Sequence, residues 1–307
     1  MPRAPLPEVP MQKIQTSQAG IATPADTAMR QLLGLFELQQ LAADHYLGES
    51  LDLGFRNLFG GHILGQALRA AGNTCEDRSV HSLHAYFIRG GDPRQPIHYK
   101  VERIRDGNSF SVRRVTASQE NKTILTLASS FQIEEDGFAH QATMPDVPPP
   151  ESLTIHRDST REMVQGDDDQ ITSDRAIEIR HVDPLDHLHP EIRPPSQCTW
   201  FRAVGAVAGK QPLHRCLLAY ASDFGLMATC MRPHGVTYYQ PTMVTASLDH
   251  AMWFYQDVRV DDWLLYVCES PAAAHGRGLN HGNIFRRDGT LVACVAQEGL
   301  FRRAASC

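Results

Sequence analysis

Apolar and polar positions along this chain follow the same order of elements twice. Apolar residues recur at Ile63, Leu64, Ala67, Leu68 and Ala71, the three-and-four spacing of one helix face. A helix is therefore predicted over Phe59–Gly72, with Gly72 as its stop signal. Gly61 and Gly65 lie four apart on one side of it, where the missing side chains admit close approach of another backbone. The preceding segment, Leu32 to Ser50, reads as a short opening element leading into a strand. Strands follow at 81–89, 97–104, 110–119 and 123–133, with turns at Asp106-Gly107 and Glu120-Asn121. Strands run after the helix without alternating with further helices, which excludes a doubly wound parallel sheet as the first choice.

The second half repeats that order. Strand-like Ile177–Arg180 and Thr199–Val204 precede His214–Cys230, a run that is apolar on nearly every side from Cys216 onward. At about 17 residues it is too long for an ordinary strand and is predicted as one buried helix. Strands are then expected at 243–255, 262–270, 277–287 and 290–301. Residue echoes accompany the shared order. Tyr99–Glu102 corresponds to Tyr266–Glu269, and Ile124–Ser130 to Leu291–Gln297, at one common offset. Ser82-Leu83 echoes Ser247-Leu248 at nearly the same offset.

Three polar residues interrupt the apolar elements of the second half. Asp223 falls in the middle of the predicted helix, where capping is a poor explanation because the helical pattern continues on both sides. Ser247 lies in the strand-like run Met243–Phe254, and Gln297 ends the apolar core of Leu291–Phe301. Burying such groups unpaired costs roughly 2–7 kcal/mol each, so they are expected to pair or to line a working pocket. The first half lacks the full set: Ser130 stands opposite Gln297, and the first helix offers Gln66.

Composition narrows the class. With 307 residues, 42% hydrophobic and 21% charged, the chain is an ordinary globular protein with room for two units. Its net charge of −6 argues against general nucleic-acid binding. Seven irregularly spaced cysteines, several inside apolar elements, indicate free thiols in a reducing compartment. The histidines form no metal-binding motif, so no metal and no cofactor are expected. No apolar run is long enough for a membrane span. Residues 1–30, rich in proline, are expected as a flexible tail. Met144 to Asp174, with its Pro148–Pro150 triplet and the acidic run Asp167–Asp169, is expected as a partly exposed linker. It separates an N-terminal unit, 31–143, from a C-terminal unit, 175–303. The C-terminus, Ala305-Ser306-Cys307, does not match the Ser-Lys-Leu type of peroxisomal address.

Several runs together resemble the acyl-CoA thioesterase II family. They are Phe59–Ala67, His81–Phe87, Asn108–Arg113, Met144-Pro145 with Pro148–Pro150, Ser222-Asp223, Ser247–Phe254 and Ala296–Gly299. They span nearly everything from about residue 32 to 303. The resemblance implies an α+β double hotdog, two repeats each with a buried helix against a curved antiparallel sheet. It implies hydrolysis of fatty acyl-CoA to free fatty acid and CoA. The family's Asp, Thr or Ser, and Gln carry over to Asp223, Ser247 and Gln297, which would hold a water without forming an acyl-enzyme. Gly61, His62 and His250 are the candidate substrate contacts. A homo-oligomer acting on acyl-CoA is expected, in the cytoplasm, with the peroxisomal matrix as the alternative.

Two competing functions remain at this point. A hotdog enoyl-CoA hydratase uses an Asp/His pair, which Asp249-His250 superficially offers, although neighbours on a strand point to opposite faces. A non-catalytic acyl-CoA- or lipid-binding protein is the other, and the intact Asp/Ser/Gln set argues against it.

Overall fold

The computed structural model describes residues 23–75, 77–154, 176–187 and 189–304. It opens with helix α1 (Pro24–Gly34), not with a tail reaching residue 30. Thr23 and Asp26 form a reciprocal capping box, with Pro24 in the first turn, so the first free N–H groups find partners locally. Ala28, Met29 and Leu32 bury against the core. The amphipathic period was there to read, but the scattered prolines masked it. The remainder of the predicted tail, 1–22, lies outside the described residues.

Strands β1 (Gln39–Ala42) and β2 (His45–Gly48) lead to helix α2 (Gly60–Gly72). The first half continues with β3 (Ser79–Phe87), β4 (Ile97–Asp106), β5 (Phe110–Gln119) and β6 (Lys122–Gln132). The second half comprises β7 (Ile177–His181), β8 (Ser196–Ala203), α3 (Gln211–Ala221), α4 (Ala228–Met231), β9 (Met243–Ser247), β10 (Asp249–Phe254), β11 (Leu264–Ala274), β12 (Arg277–Arg286) and β13 (Leu291–Arg303). All pairings are antiparallel within one sheet, in the order β1-β2-β4-β5-β6-β3-β10-β13-β12-β11-β8-β7, with β9 also on β13. The run β2-β4-β5-β6-β3 is thus followed by its counterpart in reverse, β10-β13-β12-β11-β8. The halves join where β3 pairs with β10, Leu83 opposite Met252, and both side chains are fully buried.

Helices α2 and α3 pack on each other between the halves, backbone to backbone. A Cβ at Gly65 would lie 2.8 Å from the Cys216 carbonyl oxygen, and one at Gly61 would collide with that of Tyr220. This is the close approach that the glycine spacing predicted.

Two predicted elements are interrupted. The expected helix over 214–230 ends at Ala221; Ser222 caps it, Gly225 takes a left-handed φ of 72°, and the chain restarts as α4. The expected strand over 243–255 breaks at Leu248. Ser247 pairs with Gly299, whereas Ala251 pairs with Ala296. The stretch from 247 to 251 therefore carries one more residue than the stretch of β13 it faces, the signature of a bulge. Apolar content marked both runs correctly but is blind to such breaks.

The proline-rich segment after β6 is less loose than a linker. Met144, Val147 and Leu153 pack with Trp200, Trp263, Leu265, Phe285 and Leu291. The Trp200 indole donates to the Pro148 carbonyl at 3.0 Å, and Arg180 reaches the Pro150 carbonyl at 2.6 Å. An exposed Arg287–Glu151 pair adds little. Residues 155–174 of the predicted linker lie outside the described residues. Trp200→Phe keeps the packing and removes one donor, so it should cost about 1 kcal/mol. Urea denaturation checks the loss, and faster proteolysis around 144–153 is expected with it.

Candidate active site

The interruptions create the site. Because α3 stops at Ala221, Asp223 is free of the helix and turns toward the other half. Its Oδ2 accepts the Gly61 N–H at 2.9 Å, in the first turn of α2, where unpaired amides and the helix dipole favour a negative charge. Its Oδ1 accepts from the Gln297 amide at 2.6 Å. The carboxylate therefore belongs to the second half by sequence and is held by the first.

The bulge does the same for Ser247 and His250. Residues three apart on an unbroken strand face opposite sides. With one extra residue between them, both reach the same amide: Gln297 Nε2 lies 3.2 Å from Ser247 Oγ and 3.2 Å from His250 Nδ1. Asp249 holds the bulge itself, its Oδ1 accepting the Glu298 N–H at 2.8 Å. Gln297 is fully buried, His250 is 1% exposed, and the Asp223 side chain is 6% exposed. Phe59 stacks on Phe224 at 4.5 Å and contacts Tyr220 edge-on at 5.4 Å. Ring atoms of Phe87 and the Asp223 carboxylate both crowd Gly60. The carboxylate thus sits against an aromatic wall.

The structure brings together Asp223, Ser247, Gln297, Gly61 and His250 of the predicted residues. It leaves His62 apart. That imidazole is buried on α2 and contacts the Glu49 carbonyl at 3.1 Å. Gln66 also serves the first half's packing, donating to the Leu35 and Glu49 carbonyls and accepting from Tyr99. A cavity of about 510 Å³ lined by residues including Arg202, Trp263 and Arg286 contains none of the clustered residues.

Comparison with known proteins decides the family. The sequence matches the acyl-CoA thioesterase family over residues 171–300 and the acyl-CoA thioesterase N-terminal domain family over residues 51–132. Acyl-CoA thioesterase 2 of Haemophilus influenzae is 38% identical over 279 residues, covering 89% of this chain and 98% of that one. The chain belongs to the acyl-CoA thioesterase family. The solved acyl-CoA thioesterase II TesB2 of Mycobacterium marinum is 38% identical with a TM-score of 0.73, covering 89% of this chain and 98% of that one. A hot dog fold protein from Alicyclobacillus acidocaldarius, 17% identical, gives the same TM-score of 0.73 and the same coverage, 89% and 98%. It shows the fold alone. The fold is therefore that of the α+β hotdog thioesterases. Among the described residues no helix is long and apolar enough to cross a membrane.

Electrostatics of this candidate site follow from burial. Desolvation raises the Asp223 pKa above the ordinary 3.8, opposed by the hydrogen bonds from Gln297 and Gly61. Burial lowers His250 from 6.5 to about 3 and His62 from 6.5 to about 4. Both imidazoles are neutral in the folded protein at neutral pH. A base with a depressed folded pKa contributes stability that is intact above its unfolded value and lost as pH falls through the folded one. Stability should therefore fall from about pH 6.5 toward pH 4, each histidine adding up to about 1.4 kcal/mol per pH unit. Thermal unfolding at pH 7 and pH 5 checks this, and His62→Gln should flatten the slope. An unchanged Tm across that range would contradict neutral burial of both rings.

Sequence reasoning missed the residues that steady the site. The Tyr266 hydroxyl donates to the Ser222 carbonyl at 3.0 Å. Gln197 donates to the Gly225 carbonyl and Thr229 hydroxyl, both at 2.8 Å. Buried Asn280, opposite Gln297 in the sheet, accepts the Cys230 N–H at 2.9 Å. The signal was available for Asn280 and Gln197 as polar residues within strands. Nothing local distinguishes Tyr266.

Proposed function

We propose that the chain hydrolyses fatty acyl-CoA thioesters to free fatty acid and CoA, with Asp223, Ser247 and Gln297 as the set that handles the attacking water. The observation that carries this reading is the buried Gln297 amide. It lies within 3.2 Å of Ser247 Oγ and 2.6 Å of Asp223 Oδ1, while its own Oε1 is buried without a protein partner. That oxygen is available to accept from a water, and the Asp223 carboxylate beside it to take the proton.

The reaction then runs as follows. The water oxygen bonds to the thioester carbonyl carbon as its proton moves to Asp223. The C–S bond breaks, and the thiolate, with a parent pKa near ~8.5, leaves readily. The proton held by Asp223 goes to sulfur, giving CoA thiol and returning the carboxylate. Ser247 and Gln297 orient the water, which converts an encounter into a positioned attack. The positive end of the α2 dipole supports the charge that develops on the carbonyl oxygen. The Phe59, Phe87 and Phe224 rings offer apolar surface suited to an acyl chain.

The reversed strand order supports two hotdog repeats, 31–143 and 175–303, with the reacting groups on the second and the dipole on the first. The hydratase alternative finds less support. Asp249 faces a backbone amide, while both His250 nitrogens are engaged, by Gln297 and by Ser222.

Thiol release from acyl-CoAs of increasing chain length tests the reading, with crotonyl-CoA hydration assayed alongside. Thiol release that depends on Asp223 is the expected result. Hydration without thiol release, or neither activity, would overturn it.

A further inference from the structure

We propose that His250 is a positioning residue for this hydrolysis, acting through Gln297 by holding its amide in one orientation while Asp223 gains and loses a proton. The proposal rests on the reading of Asp223, Ser247 and Gln297 given above and deepens it.

The argument begins with donors and acceptors. A carboxamide nitrogen only donates, so a hydrogen bond between Gln297 Nε2 and His250 Nδ1, 3.2 Å apart, makes the imidazole nitrogen the acceptor of one of the two amide hydrogens. The ring proton is then on Nε2. Nε2 lies 2.9 Å from Ser222 Oγ, which accepts it, and the Ser222 hydroxyl in turn donates to the Ala219 carbonyl at 2.9 Å. With Asp223 taking one of the two Gln297 amide hydrogens and His250 the other, the directions follow in order: Ala219 carbonyl, Ser222 hydroxyl, His250 Nε2–H, His250 Nδ1, Gln297 N–H. The last turn of α3 thus selects the imidazole tautomer, and the tautomer selects which end of the Gln297 amide faces inward.

Asp223 already attracts that N–H when it is charged. During hydrolysis it takes the proton of water, and its charge no longer favours a donor. At that moment a carboxamide is free to rotate and present its oxygen instead. His250 Nδ1 does not change. It lies 3.9 Å from Asp223 Oδ1, and burial holds its pKa near about 3, so it neither competes for the proton nor loses its lone pair. It keeps Gln297 Oε1 aimed at the water through the whole cycle. His250, at 1% exposure, is shielded from substrate and touches the reaction only through Gln297.

Four variants and a double mutant test this, with steady-state thiol release as the assay. His250→Leu should lower kcat by about 10²-fold, the scale of a misplaced reacting group, with little change in KM. His250→Asn, whose carboxamide oxygen can occupy the Nδ1 position as acceptor, should recover most of that loss. Ser222→Ala leaves the imidazole in place but releases its tautomer, so kcat should fall while KM holds. In Gln297→Ala, adding His250→Leu should cost nothing further, because the residue it acts through is gone. Should His250→Leu fail to fold, Ser222→Ala in the wild-type and Gln297→Ala backgrounds carries the same cycle, with His250→Asn as the conservative control. Nitrogen-15 NMR of the wild type gives an independent readout: the His250 ring should appear as the neutral Nε2–H tautomer at pH 7, and lose that preference in Ser222→Ala.

Additive losses in the double mutant, equal damage from Asn and Leu in soluble proteins, or an Nδ1–H tautomer would overturn the proposal. If the underlying hydrolytic reading is wrong, either the wild type releases no thiol or Asp223→Asn and Gln297→Ala keep wild-type turnover. That is distinct from failure of the His250 role alone, in which both remain impaired.

Discussion

Asp223→Asn is expected to lower kcat by about 10²- to 10⁴-fold, the usual worth of a general base, with a much smaller change in KM. Asn nearly preserves shape but cannot take a proton from water. It also supplies only one oxygen where the carboxylate offers two, to Gly61 N–H and to Gln297, so one of those donors loses its partner. Ser247→Thr keeps a hydroxyl and should retain much of the activity. Gln297→Ala should fall between, since it removes orientation and leaves the base. The kcat–pH profile should show an acidic limb above the ordinary carboxylate value of 3.8, because burial raises the Asp223 pKa and only the ionised form accepts a proton. Its linkage to stability has the opposite sign to that of the histidines. The protonated form is favoured by the fold, so this contribution is fully present below 3.8 and is lost as pH rises through the folded value. Intact mass spectrometry separates water attack from a serine nucleophile. An acyl adduct on Ser247, or near-wild-type turnover by Asp223→Asn, would overturn the assignment.

Gly61→Ala should damage folding and activity together. The added Cβ would meet the Tyr220 carbonyl oxygen well inside 3.0 Å and the Phe59 ring at 2.6 Å. A backbone carbonyl in a buried helix has nowhere to go, so the penalty belongs at the upper end of the overpacking range, about 3 kcal/mol. Separating α2 from α3 also moves the Gly61 N–H away from Asp223, so kcat should fall in whatever protein folds. Gly72→Ala is the control: nothing lies within 4 Å of its Cβ, and it should stabilise by about 0.5–1 kcal/mol through helix propensity. Thermal unfolding of the two variants should shift in opposite directions by readily measured amounts. Equal behaviour would show that the helix contact is not close enough to exclude a methyl group.

Most of the secondary structure was legible in the sequence because it rests on local periodicity. The helix over Phe59–Gly72, the strands of both halves and the glycine face of α2 follow from spacing alone, and each emerged within a few residues of its expected bounds. The polar set was legible for a related reason. Asp223, Ser247 and Gln297 are out of place in apolar runs, and desolvation makes such residues conspicuous. Their relationship was not legible. Asp223 was placed inside a helix and lies beyond its end, because Gly225 and the pull of the Gly61 amide outweigh an apolar pattern that continues past the break. His250 was named as a candidate substrate contact, but alternation along one unbroken strand would put it on the face opposite Ser247. A one-residue bulge, visible only once β9, β10 and β13 are paired, turns it toward Gln297. Sequence by itself determined which elements form and which side chains need partners, since both are set by neighbours along the chain and by the cost of burial. Only the tertiary structure decided which partners they find. That choice depends on strand register and on the contact of α2 with α3, interactions between residues far apart in sequence that no local period encodes.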